Sequence, residues 1–277
     1  MDLYSKISFQ ISKSVTTHYS TSFSLGIIAF SSKYKDAIYS IYGFVRIADE
    51  IVDTFNGHEK QEMFEEFRCE TYKAINRGIS TNPVLHAFQQ TVNRYQIDRE
   101  YIDAFLQSME LDITNTHYQR PLYAKYVYGS AEVVGRMCWK IFCDGKDELF
   151  NRLITPARAL GSAFQKVNFL RDIKSDLNER GRIYLPGISN SSSITNDEKT
   201  KLEMEIEQEF RSALPGILQL PAGSRLGVYS AYLYYKVLFK KIRRTHVNEL
   251  MQRRVRISDL TKLILLLTSI ITIRFQK

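Results

Sequence analysis

An all-α fold is what this sequence predicts, on three observations. Apolar residues recur at three- and four-residue steps over long stretches, no segment alternates convincingly with the two-residue period of a strand, and 277 residues contain only 6 prolines and 13 glycines to interrupt helices. With 44% hydrophobic and 12% aromatic residues, the chain can bury a large core.

The periodicity places helices over roughly 3–19, 35–54, 59–77, 83–95, 98–115, 121–143, 147–178, 195–220, 222–250 and 257–274, with boundaries uncertain by about two to four residues. In the second, Ala37, Ile41, Phe44, Ala48 and Ile51 make one apolar face. The 147–178 segment is apolar nearly all round, through Leu160, Phe164, Val167, Phe169, Leu170 and Ile173, interrupted only partly by Lys166, Arg171 and Lys174. The conspicuous irregular stretch follows it, from Asn178 through Glu179, Arg180, Gly181, Arg182, Ile183, Tyr184, Leu185 and Pro186 to Gly187, and then the Ser-rich run Ser189 to Thr195. A loop directly after a charged helix end is a common place for function. No linker of domain type separates the segments, so residues 1–277 are expected to form one domain.

Thirty-eight Lys and Arg against 30 Asp and Glu leave a formal charge of +8, which suits an anionic partner: nucleic acid, a diphosphate, or an acidic membrane surface. Cys69, Cys138 and Cys143 are odd in number and without C-x-x-C spacing, which speaks against a disulfide framework or a zinc site and for a reducing cytoplasm. The first residues, Met1 to Lys6, lack the basic and then apolar pattern of a secretion signal. The longest apolar run, Leu263 to Ile273, falls short of the roughly 20 residues that span a bilayer.

Two polar stripes carry the chemistry. Tyr42, Arg46, Asp49 and Asp53 fall on one narrow side of their helix, which alone is also what an ordinary solvated face looks like. Gln165, Asn168, Asp172 and Asp176 form the second stripe, on the helix that is otherwise apolar. Buried carboxylates one turn apart repel each other unless a cation or a hydrogen-bond network stabilises them, so this stripe is expected to line a polar cavity. Each aspartate pair is four residues apart, about 6 Å of helix rise, and can offer oxygen ligands to hard cations. Magnesium, with manganese as a substitute, accepts phosphate oxygens as remaining ligands, so carboxylate pairs beside Arg46, Arg171 and Arg182 describe a diphosphate site. No histidine sits in a nucleophile-base pattern and no Gly-rich phosphate loop occurs.

On these residues the sequence resembles the squalene/phytoene synthase family. The first signature is Ala48-Asp49-Glu50-Ile51-Val52-Asp53, preceded by Tyr42-Gly43-Phe44-Val45-Arg46. The second runs from Gln165 through Asn168, Arg171, Asp172 and Asp176 into Gly181-Arg182-Ile183-Tyr184-Leu185-Pro186. Ser20, Ser22, Phe23 and Ser24 near the N-terminus, Tyr128-Gly129 with Gly135, and Tyr234 support it, whereas Glu132 departs from the family's small-residue run. The resemblance implies an isoprenoid synthase-type helical bundle around a central cavity, with Asp49, Asp53, Asp172 and Asp176 as facing metal ligands. It implies a magnesium-dependent prenyltransferase that condenses two geranylgeranyl diphosphates, through a cyclopropylcarbinyl diphosphate, to phytoene in carotenoid biosynthesis, without NADPH.

Tyr42, Arg46 and Arg171 then join the aspartates as catalytic candidates, and Ser20, Ser22, Phe23, Tyr128, Gln165, Asn168, Arg182 and Tyr234 as substrate-binding ones. Phe23, Tyr42, Tyr128 and Tyr234 can offer π faces to a carbocation, although core packing explains each aromatic singly as well. Gln165 and Asn168 orient diphosphate or satisfy buried backbone groups. Ile27, one turn beyond Phe23, is smaller than an aromatic and leaves room for the longer chain. The alternatives are dehydrosqualene or squalene formation from farnesyl diphosphate, and a non-catalytic basic module for membrane or nucleic acid. The paired aspartates and the lack of a nucleic-acid motif speak against nucleic acid. Lys240, Lys241, Arg243, Arg244, Arg253, Arg254 and Arg256, ahead of the apolar 260–273 segment, suggest peripheral contact with the inner face of a cell membrane or, as readily, a solvated basic helix before a core helix. Oligomeric state is not legible.

Overall fold

The computed structural model describes residues 1–55, 59–186 and 194–275, with the Ser22 side chain left aside. The expected loop residues Gly187 and Ser189 to Ser193 lie outside that set. The helices are α1 (Leu3–Tyr19), α2 (Thr21–Ile28), α3 (Ser32–Asp53), α4 (Lys60–Arg77), α5 (Pro83–Tyr95), α6 (Arg99–Thr114), α7 (Arg120–Val127), α8 (Val133–Phe142), α9 (Asp147–Asn178), α10 (Asn196–Gln219), α11 (Ala222–Arg243), α12 (Val247–Leu250) and α13 (Asp259–Phe275). The fold is all-α, and the only strand-like feature among the described residues is an isolated bridge between His117 and Ile183.

One contiguous apolar core holds the helices together. Its aromatic centre is Phe44 of α3, with ring centroids 3.8 Å from Phe88 of α5 and 5.4 Å from Phe105 of α6. On the other side of α3, the helix α1 turns Ser5, Ser8, Ser12 and Thr16 inward at helical spacing. These small residues let the two backbones approach until a Cβ on Gly43 would stand 3.1 Å from Ser12. The 32-residue α9, about 48 Å long, packs on α8, α10 and α11. Its Pro156 sits where Gly216 of α10 leaves out a Cβ that would lie 2.2 Å away. Lys166, which interrupts the apolar surface of α9, is buried against α10, donating to Glu205 at 2.9 Å and Glu209 at 2.7 Å.

Three helix expectations are revised. The segment between the first two predicted helices contains α2, capped by Ser20, whose side chain accepts from the Phe23 amide. The 121–143 helix is divided by a π turn at Tyr128–Glu132, placed where Gly129 meets the backbone of α6: a Cβ there would lie 2.4 Å from the Ala104 carbonyl oxygen. The 222–250 helix stops at Arg243, because Val247 and Leu250 fold back to be buried against α9.

Candidate active site

Between α3 and α9 the described contacts are polar. Asp53, at the last turn of α3, lies 3.1 Å from Arg180 Nε and 2.5 Å from Arg182 Nη1. Arg180 also pairs with Asp176 at 2.8 Å. One guanidinium therefore joins a carboxylate from each stripe, so the two stripes face each other. Arg182 reaches this place because the chain reverses at Gly181, whose φ of 64° belongs to the left-handed region. Its amide then donates to the Asp176 carbonyl at 2.8 Å, and Ile183 exchanges backbone bonds with Thr116 and Tyr118 at 2.8 and 3.0 Å.

The remaining two aspartates extend the row. Asp49 lies 3.7 Å from Arg46, whose guanidinium also pairs with Glu50 and stacks 4.2 Å over the Tyr19 ring. Asp172 is held at 2.6 Å by Arg171 and at 2.7 Å by Arg254. Burial pushes the Asp49 carboxyl up to about 7, with the Asp53 charge adding to it and Arg46 opposing it. Burial likewise pushes Asp176 up to about 7, with Arg180 opposing and Asp172 adding. Burial thus holds protons on these two carboxyls in spite of the arginines beside them.

Hard oxygen donors in two facing pairs, with carboxyls that hold on to protons, are the donor set a divalent cation would relieve. Among the described residues no group of three carboxylate, His or Cys side chains converges on one point. Ligands from the protein would come in pairs, leaving positions for substrate oxygens or water. Arg46 Nε is buried without a partner among the described residues, a donor that a diphosphate oxygen could satisfy.

The other expected residues are dispersed around this row. Phe23 and Tyr42 stack on each other, centroids 4.9 Å apart and planes 26° apart. Asn168 accepts from Tyr235 at 3.2 Å, and Gln165 is half-buried on α9. Tyr234 lines a crevice of about 20 Å³ between α2, α11 and α13, beside Leu25, Lys262 and Leu265. Ser20 acts as the cap of α2, and Ser22 lies outside the described side chains. Tyr128 faces Arg136, which donates to its hydroxyl at 3.3 Å, and Arg158. Glu132, the departure from the family pattern, pairs with Arg158 at 2.6 Å.

Sequence reasoning missed Asp112, Arg180, Arg254 and Tyr235. Arg180 stood in the charged loop that had been singled out, and Arg254 in the basic run read toward a membrane. Asp112 had a signal too, an acidic residue on the apolar side of α6 among Phe105, Leu106 and Met109.

A family model described as squalene/phytoene synthase matches residues 16–191. The chain is 28% identical over 257 residues to phytoene synthase 1, chloroplastic, of Arabidopsis thaliana, covering 86% of this chain and 60% of that protein. To the phytoene synthase of Arthrospira platensis it is 25% identical over 272 residues, covering 89% of this chain and 87% of that one. The chain thus spans about three fifths of the length of plant relatives such as the Arabidopsis and Narcissus pseudonarcissus proteins. Among solved structures, a dehydrosqualene synthase in complex with ligand superposes with a TM-score of 0.85 at 20% identity, covering 98% of both chains. A squalene synthase from Alicyclobacillus acidocaldarius gives 0.75 at 21% identity, covering 88% of this chain and 96% of that one. These likenesses establish the fold.

Proposed function

The chain belongs to the squalene/phytoene synthase family, and from that membership we propose that it is a prenyltransferase joining two geranylgeranyl diphosphates head to head, through prephytoene diphosphate, to phytoene and diphosphate. The observation that carries this reading is the shared Arg180, which brings Asp53 of one motif and Asp176 of the other to a single guanidinium. Two acidic motifs facing each other amid arginines suit a leaving group that departs with several negative charges.

Asp49, Asp53, Asp172 and Asp176 are the residues that would hold Mg²⁺, or Mn²⁺ in its place. Bound there, the cation supplies Lewis-acid stabilisation of the departing diphosphate. Arg46, whose Nε has no partner among the described residues, and Arg180, Arg182 and Arg171 would bind diphosphate oxygens and stabilise charge as the C–O bond ionises. The Phe23–Tyr42 stack and Tyr235 offer apolar and π surfaces that exclude water from a carbocation. No reductant enters this scheme. Support for phytoene as product comes from the phytoene synthase relatives. Ile27, fully buried one turn beyond Phe23, is the residue this reading places at the end of the prenyl chain.

Peripheral membrane contact is part of the same reading, with the inner face of the cell membrane as the site. No helix among the described residues is long and apolar enough to cross a membrane. Leu260, Leu263, Ile264, Leu267, Ile271 and Phe275 nevertheless form one exposed stripe along α13, preceded by exposed Arg253 and Arg256. An apolar stripe with a basic approach suits an anionic bilayer.

The deciding experiment incubates the protein with Mg²⁺ and either geranylgeranyl or farnesyl diphosphate, with and without NADPH, and identifies the hydrocarbon. Phytoene formed from geranylgeranyl diphosphate without NADPH is expected. Squalene or dehydrosqualene alone would replace the C20 reading, and no diphosphate release from either substrate would overturn the enzyme.

A further inference from the structure

Asp112 is a buried carboxylate that neither acidic motif contains. It stands near the end of α6 and is 7% exposed. Three phenols close around it: Tyr118 donates at 2.6 Å, Tyr126 at 2.7 Å and Tyr184 at 3.0 Å. Burial raises its pKa, while Arg182 and these three hydrogen bonds pull against that rise. The rings of Tyr118, Tyr126 and Tyr184 pack on one another at centroid distances of 4.9 to 5.0 Å, so the cage is rigid. The open side of the cage faces Arg182, 3.8 Å from the carboxylate.

Arg182 is a buried cation with few partners. It touches Asp53 at 2.5 Å, Asp112 at 3.8 Å, the Tyr184 hydroxyl at 3.2 Å and the Val52 carbonyl at 3.1 Å. A buried guanidinium stripped of its nearest carboxylate is costly. If Asp53 is to leave Arg182 for a cation, as the proposed function requires, another anion must remain within reach.

We propose that Asp112 is that reserve counter-ion: held in its tyrosine cage, it keeps Arg182 compensated when Asp53 turns to a metal, and so governs how readily the first aspartate pair takes up a cation. Asp112 is a positioning residue in this role, because it acts through Arg182 and touches neither metal nor substrate. The inference rests on the metal-binding reading of Asp53. Tyr184 belongs to the same device, since its hydroxyl accepts from Arg182 Nη1, the nitrogen that also meets Asp53, and donates to Asp112, tying the two together.

The test is a Mn²⁺ titration followed by electron paramagnetic resonance of the free ion, on the unaltered protein, Asp112→Asn, Arg182→Gln and the double variant. Asp112→Asn is expected to weaken Mn²⁺ binding about tenfold, because Arg182 then clings to Asp53. In the Arg182→Gln background the same change is expected to alter binding by less than about twofold, since no cation is left to compensate. Equal weakening in both backgrounds, or a lowered melting temperature with unchanged Mn²⁺ affinity, overturns the role. Tyr184→Phe keeps every charge and is expected to weaken binding in the same direction by a smaller factor; it decides the matter if Asp112→Asn does not fold. Unaltered protein that binds no Mn²⁺ overturns the metal reading along with this one, whereas Mn²⁺ binding indifferent to Asp112 and Tyr184 overturns this one alone.

Discussion

Arg254 sets its guanidinium 2.7 Å from Asp172, so a residue beyond α12 covers the first carboxylate of the second motif, which Arg171 already holds from within α9. A cation arriving at Asp172 must displace or share these partners. Arg254 is about half exposed, and its ion pair contributes little to stability, about 1 kcal/mol at most. Arg254→Gln is therefore expected to leave the melting temperature nearly unchanged and to lower the Mg²⁺ concentration for half-maximal diphosphate release by about two- to fivefold. A rise in that concentration would instead assign Arg254 to the diphosphate.

Asp49→Asn and Asp172→Asn keep side-chain volume and remove one charge each. Loss of turnover by a factor of at least about 10² is expected for either, a magnitude seen when one group stabilising developing charge is removed. Helical circular dichroism should be retained. Activity preserved in both variants would remove the ligand roles.

The protonation of Asp49 and Asp176 predicts a pH dependence. Both carboxyls are raised from the ordinary range near 4 to about 7 in the folded protein. Between those values the folded state binds more protons than the unfolded one, so stability falls as pH rises from about 4 to about 7 and levels off above. Thermal melts of metal-free protein across this range should show that decline. Mg²⁺ should reverse it most at the upper end, where binding no longer has to expel protons.

The α13 stripe predicts a separable loss. Leu263→Ser, Leu267→Ser and Ile271→Ser together, all at exposed positions, are expected to abolish flotation with anionic vesicles while leaving the melting temperature within a few degrees. Unaltered protein that fails to float removes the membrane contact.

Gly129→Ala would drive a Cβ to 2.4 Å from the Ala104 carbonyl oxygen and 2.7 Å from Ser108 Cβ. Because one of these neighbours is backbone, a cost of about 1–3 kcal/mol is expected, read as a drop in the denaturation midpoint.

The helices were legible wherever apolar spacing ran on without interruption, as in α1, α5 and α9, which end within a residue or two of the expected positions. α2 was not, because its eight residues are apolar or small throughout and offer no polar face to mark a period. Asp49, Asp53, Asp172 and Asp176 could be read from one-turn spacing; buried charge asked only for a polar cavity, and the facing arrangement was what the family resemblance implied. Arg254 and Asp112 were visible only as part of a basic run and as an acidic residue on an apolar face, since each reaches the cluster through tertiary contacts from a distant part of the chain. Lys166 shows the converse: a cation on an apolar helix looked like an interruption, yet Glu205 and Glu209 of α10 make its burial compatible with the core.

The π turn at Tyr128–Glu132 makes this part of the chain sensitive to length as well as to composition. A turn that holds one residue more than an α-turn absorbs the about 100° that this residue would otherwise add to the rotation of everything after it. Val133, Met137 and Ile141, a buried row of α8, follow directly on the turn. Deleting a single residue from the turn would leave an unbroken helix with this row still on the core, whereas winding the same residues as α-helix would swing the row away by about 100°. An improvement in local regularity at unchanged length would thus dismantle the packing that α8 provides.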